Sequence, residues 1–126
     1  MKRLWIALGL LGLLLTATLY NAQYLDRLTG QLCVQLLQAE QLAAREDWGQ
    51  SEALIRAAQG AWDAREFYLH VTLRHGDTDQ IKTGFDETLR LLRSREGGEY
   101  AAASARLVRQ LQLISEAEQL TLENLL

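Results

Sequence analysis

The stretch LWIALGLLGLLLTATLY, from Leu4 to Tyr20, holds seventeen residues without a charge and begins directly after Lys2 and Arg3. A helix rising ~1.5 Å per residue covers about 25 Å in that length, close to the roughly 30 Å of hydrocarbon in a bilayer. Trp5, Tyr20 and Tyr24 supply the amphipathic rings favoured at the two membrane surfaces. The stretch therefore reads as a membrane span from which the rest of the chain is hung.

A cleaved secretory signal shares the basic start and the Leu-rich middle, but it needs small residues three and one before the cut. Between Thr16 and Ala22 no such pair stands out. A cut after Ala22 has Tyr20 at the outer position, and a cut after Thr18 rests on two threonines. Cys33 lies far beyond the apolar run, behind Gly30-Gln31-Leu32, and so is misplaced for lipid attachment. The expectation is an uncleaved anchor, residues 1–20, followed by one extracytoplasmic helical domain, residues 21–126. Lys2, Arg3 and the amino terminus favour the cytoplasmic side, which places a single-pass protein in the cell membrane with its body outside.

The chain carries 13 basic and 16 acidic residues, and its net charge of −3 becomes −5 for the body once Lys2 and Arg3 are set aside. An acidic body argues against nucleic acid and against broad adhesion to anionic headgroups, both of which need a basic face. Cys33 is the sole cysteine, so no intramolecular disulfide and no CxxC site can form. Its expected role is that of a small buried hydrophobe, and the alternative is a bridge between two copies in a homodimer.

Proline is absent, which removes the strongest helix breaker from four periodic segments. Leu25, Leu28, Leu32, Leu36, Ala39 and Ala43 recur at three and four residues, continuing the span as one rod. Arg45-Glu46-Asp47 interrupts it. Asp47 is placed to cap a second helix with the stripe Trp48, Ser51, Ile55, Ala58 and Trp62. Phe67, Leu69, Val71 and Leu73 alternate as in a strand, yet no second alternating segment exists to pair with them, so helix is preferred. His75-Gly76 is expected to end that element, and Asp77 with Gln80 to cap a third helix bearing Ile81, Phe85, Thr88 and Leu92. Gly97-Gly98 is expected to stop it. A fourth helix carries Tyr100, Ser104, Leu107, Leu111 and Ile114, followed by a Leu-rich tail past Glu118. The fold class is all-α: a transmembrane helix continuous with an antiparallel four-helix bundle or stacked helix hairpins.

The Lys2-Arg3-flanked span, the long first helix, Glu46-Asp47-Trp48 opening the second, Trp62, the connector from His75 to Asp79 and the closing LTLENLL from Leu120 to Leu126 form one pattern. It resembles the small bacterial membrane proteins of domain-of-unknown-function family four-three-six-three, over essentially the whole chain. The resemblance implies a Gram-positive, often spore-forming source, a single span, no assigned activity and an accessory role beside other membrane proteins.

No constellation in the sequence supplies catalysis, and no catalytic residue, metal site or cofactor is expected. His75, Asp77 and Asp79 place three potential ligands within five residues, but one imidazole and two local carboxylates leave a metal shell incomplete. Helix capping accounts for the two aspartates. The Glu-x-x-His pairs of di-metal bundles are missing, because Phe67 and Thr72 stand three residues before His70 and His75. Glu66 and His70 read as a surface pair. Haem-attachment, phosphate-loop and nucleophile-elbow motifs are absent. One cationic feature remains. Arg90 and Arg93 share a face of the third helix, Arg106 and Arg109 share one on the fourth, and an antiparallel hairpin would bring them together. They read either as a solvated face paired with Glu87, Glu96 or Glu99, or as a docking patch for an acidic partner or wall polymer.

The function expected is a membrane-anchored, non-enzymatic interaction module that touches lipid through its span and binds a protein of the membrane or envelope. The alternative is an extracytoplasmic ligand-binding sensor that signals through a partner, with a bundle pocket lined by Trp62, Phe67 and Tyr68.

Overall fold

The stripe from Leu25 to Ala43 is buried along one face of a single helix, α1 (Lys2–Ala44), 43 residues long. In the computed structural model, which describes residues 1–73 and 75–125 apart from the side chains of Thr72, His75, Thr121, Leu122 and Leu125, this helix crosses from the apolar run into the body without a break. Four more follow: α2 (Trp48–Asp63), α3 (Glu66–Thr72), α4 (His75–Arg93) and α5 (Gly97–Leu125). The described residues contain no strand. The protein is all-α. The alternation at Phe67 to Leu73 is that of a short helix, in which Leu69 is buried while Phe67 and Val71, one turn apart, face outward.

Four helices close a ring in which α1 packs on α2 and α5, and α4 packs on α5 and α2. Cross-links along each seam fix the directions. Ser51 donates to the Ala39 carbonyl at 2.7 Å, Cys33 faces the Val108 carbonyl at 3.9 Å, and Ser115 donates to Asp26 at 3.0 Å. Arg93 meets Glu52 at 2.7 Å while Gln59 meets Asp86 at 3.0 Å, so α2 and α4 also run antiparallel. The result is an up-down-up-down four-helix bundle, with α3 inserted in the α2–α4 connection. Its core joins the α1 stripe to Ile55, Ala58 and Trp62, to Ile81, Phe85 and Leu92, and to Tyr100, Leu107, Leu111 and Ile114. Each large apolar side chain so buried contributes about 1.5–3 kcal/mol by leaving water. Trp48, at the start of the α2 stripe, is only half-buried.

Several helix ends differ from the reading of the sequence. α1 and α4 both end in left-handed residues that are not glycine, Glu46 and Arg95. Behind them Asp47 N–H bonds Leu42 O at 2.9 Å and Glu46 N–H bonds Ala43 O at 3.0 Å. The same pair recurs as Glu96 N–H to Leu91 O and Arg95 N–H to Leu92 O. Both are Schellman closures. Gly97 and Gly98, expected to stop the preceding helix, instead lie in the first turn of α5. His75 and Gly76, expected to close an element, open α4, and Asp77 sits inside its first turn, where a carboxylate suits the dipole, rather than capping it. Nor does the Leu-rich tail leave the helix, since α5 runs on to Leu125. Asp47 does cap α2, accepting from Gln50 N–H at 3.4 Å.

Candidate functional site

Two regions of α1 differ sharply in surroundings. From Leu4 to Tyr20 its side chains are exposed on every side, with only Leu15 and Thr18 half-buried, whereas from Ala22 onward it builds the core. An 18-residue window of the exposed part has mean hydropathy 1.7, which makes α1 a helix long and apolar enough to cross a membrane. The two threonines of this stretch are satisfied within the helix: Thr16 donates to Gly12 O and Thr18 to Leu14 O, both at 2.8 Å. Such back-bonding lets threonine lie in an apolar medium without an orphan donor.

Where α1 enters the bundle, three elements meet around it. Tyr68 on α3 donates its hydroxyl to the Asn21 side-chain carbonyl. Asn21 in turn donates to Glu118 on α5 at 3.5 Å. The Tyr68 ring stands edge-on to Tyr24 at 4.9 Å, and Tyr24 stacks on Tyr20 at 6.5 Å. Burial raises the pKa of Tyr68, and Tyr24, Tyr20 and Glu118 add to the shift, so the phenol keeps the proton it donates. Nothing in the sequence spacing of Asn21, Tyr68 and Glu118 foretells this collar, because the three come from well-separated helices. On the outer side of α3, Phe67 is 85% and Val71 72% exposed. Phe67, so exposed, does not enclose a pocket with the buried Trp62 as the sequence reading supposed. The groove beside Trp62 is lined instead by Glu66, Leu69, His70, Asp79 and Lys82 among others. Glu66 receives His70 at 3.2 Å and Lys82 at 3.5 Å, and these contacts, His70 first, lower its pKa.

The four arginines do not line one groove: Arg90 and Arg93 lie in one, Arg106 in another, and Arg109 is placed by an ion pair along its own helix. Arg90 and Arg93 line the α2–α4 groove with Arg56, Gln59, Asp86 and Leu89. Arg93 and Arg56 both bind Glu52, at 2.7 and 3.2 Å. Their contacts lower the Glu52 pKa, the Arg93 hydrogen bond most. Arg90 makes no ion pair among the described residues. Arg106 lies in the α4–α5 groove and binds Glu87 at 3.0 Å, while Arg109 pairs with Glu116 on its own helix at 3.6 Å. Glu87 is thus the one partner correctly anticipated for this set.

Among the described residues no group of three or more His, Cys, Asp or Glu side chains converges, and the His75 side chain of the proposed connector trio lies outside them. Cys33 is buried, and burial pushes its thiol pKa up, away from the thiolate that nucleophilic chemistry requires. Deep in the core, Tyr100 is also raised by burial, with Glu40 acting the same way and the neighbouring Ser51 and Ser104 hydroxyls opposing.

No curated protein and no solved structure matches the chain. The model of the family described as "Domain of unknown function (DUF4363)" matches residues 19–125, which takes in the end of the apolar run, the collar and all four bundle helices. Since that span is most of its length, the chain belongs to the DUF4363 family.

Proposed function

We propose that the protein is a membrane-anchored, non-enzymatic helical interaction module, held outside the cytoplasmic membrane by the N-terminal half of α1 and accessory to another membrane or envelope protein. The observation that carries this reading is the division of one helix into an all-round exposed apolar half and a half packed into a bundle. An apolar surface of that size is untenable in water and ordinary in lipid. The body offers grooves edged with charge: the α2–α4 groove carries three arginines and an aspartate. Grooves of that kind suit an acidic segment of a partner, and Arg90, Arg93, Arg106 and Arg109 remain the residues proposed to meet it. A ligand-binding sensor would instead use a mostly apolar pocket.

The test has two arms. External protease on spheroplasts should degrade the body, whereas full protection until permeabilisation would reverse the orientation. Replacing Leu4–Tyr20 by an unrelated span should preserve co-purification with the native partner, and a secreted body without anchor should largely lose it, because tethering raises the effective concentration beside the membrane. Equal association by both forms would show that the anchor contributes nothing to recognition.

A further inference from the structure

Among the described residues of the bundle, the outward face of α3 carries the two most exposed large apolar side chains, ahead of Leu120 and of the half-exposed Val34 and Leu37 on α1. Phe67 and Val71 stand one turn apart on a seven-residue helix and are 85% and 72% exposed, although Leu69 on the opposite side is fully buried. A soluble body gains nothing from so exposed a phenylalanine. The location of α3 explains it. The Tyr68–Asn21 hydrogen bond and the Tyr68–Tyr24 ring contact pin α3 beside the residues where α1 leaves the apolar run. At the same level Tyr20 on α1 and Leu120 on α5 are also largely exposed. Exposed apolar side chains on α3 and α5 thus stand near the end of the apolar run, beside the exposed ring of Tyr20.

From this we infer that α3 is an interfacial helix: Phe67 and Val71, with Tyr20 and Leu120, seat the body on the headgroup and upper acyl region of the bilayer. The inference rests on the reading of Leu4–Tyr20 as a span. Given that reading, lipid is the occupant whose position is already fixed, since an unbroken helix holds the collar within a turn or two of the bilayer surface. Aromatic and aliphatic side chains are stable at that depth, where a ring can bury its body in lipid. Glu66, paired with His70, turns towards Lys82 of α4, so within α3 itself the described charged side chains are engaged away from Phe67 and Val71.

The experiment uses the full chain in phosphatidylcholine vesicles, some of whose lipids carry a nitroxide near the headgroup or along the acyl chain. In a Cys33→Ala background, single cysteines replace Leu10, Phe67 or Glu99 and receive an environment-sensitive fluorophore. All three labelled positions are exposed, so labelling does not disturb the core beyond the Cys33→Ala change shared by every variant. The probe at 10 should lose most of its emission to the acyl-chain nitroxide, and the probe at 67 to the headgroup nitroxide with a blue shift. The probe at 99, at the far end of the bundle, should lose little to either. Quenching at 10 with a probe at 67 as open to aqueous iodide as the probe at 99 would overturn the inference and leave the span standing. A probe at 67 shielded from both lipid and iodide would also overturn it, and would assign the face to a second copy of the chain. An unquenched probe at 10 would remove the span, and this inference with it.

Discussion

Glu46 and Arg95 occupy equivalent positions at the end of the bundle far from the apolar run: each holds a left-handed backbone, φ 63° and 56°, and each closes a helix through the same pair of backbone hydrogen bonds. Left-handed geometry costs an ordinary residue roughly 1–2 kcal/mol, which glycine avoids. Glu46→Gly and Arg95→Gly should therefore each raise stability by ~0.5–1 kcal/mol, after allowing for the greater freedom of glycine in the unfolded chain. Denaturant unfolding of the full chain in mild detergent, followed by circular dichroism, measures it. A loss of stability in both variants would show that the side chains matter more than the backbone geometry.

Gly84 and Gly30 should respond oppositely to alanine. A Cβ on Gly84 would stand 2.9 Å from Leu107 Cδ1 and 3.3 Å from Gln110 Oε1, so the fully buried Leu107 would have to shift. Around Gly30 nothing lies within 4 Å. Gly30→Ala should stabilise by about 0.5–1 kcal/mol through helix propensity. Gly84→Ala should forfeit that gain, and Gly84→Val should cost roughly 1–3 kcal/mol as the α4–α5 seam is forced apart. Equal stabilisation by both alanines would mean that the seam is looser than the distances imply.

The two tryptophans of α2 should separate in the same assay. Trp62 is buried against the core, and Trp62→Ala should cost roughly 3–5 kcal/mol. Trp48 is half-buried, so Trp48→Ala should cost about half as much, in proportion to the apolar area it covers. Indistinguishable losses would contradict the placement of Trp48 at the rim.

Acid should loosen the α2–α4 seam through Glu52. Its carboxyl is held below the usual value of 4.5 chiefly by the Arg93 hydrogen bond, with Arg56 assisting and burial opposing. A lowered carboxylate pKa lends stability above the unfolded value, and that share disappears as pH falls through the folded one. The melting temperature of the native chain should thus fall more steeply below about pH 4.5 than that of Glu52→Gln. Parallel curves would show that the pair is too well solvated to contribute.

Much of the fold was legible because the deciding signals are periodic. The α1 stripe, the Ser51-Ile55-Ala58-Trp62 row and the Ile81-Phe85-Thr88-Leu92 row are all buried as their spacing requires. The boundaries were less legible. Gly97-Gly98 has the composition of a helix stop, yet Leu91 and Leu92 carbonyls are closed two residues earlier by Arg95 and Glu96, and the glycines are left to begin α5. His75-Gly76 misled in the same way. The collar was beyond reach for a different reason: Asn21, Tyr68 and Glu118 meet only because three helices converge, and no local pattern encodes their contact. Alternation at Phe67 to Leu73 is strand-like, yet the preference for helix holds, and the helix turns Phe67 outward and Leu69 inward.

Because α1 passes from the apolar run to Ala44 as one helix, the body has a fixed azimuth as well as a fixed height. One residue inserted between Tyr20 and Asn21 would turn the bundle about 100° around the axis of the span while lifting it only ~1.5 Å. If the apolar run is the membrane span proposed above, a partner beside the bilayer would then face a different pair of helices. Seven inserted residues would complete nearly two turns and present the original side again, about 10 Å higher. Contact with a partner embedded in the same bilayer should therefore rise and fall with insertion length in the rhythm of the helix, rather than decline steadily as it would on a flexible stalk.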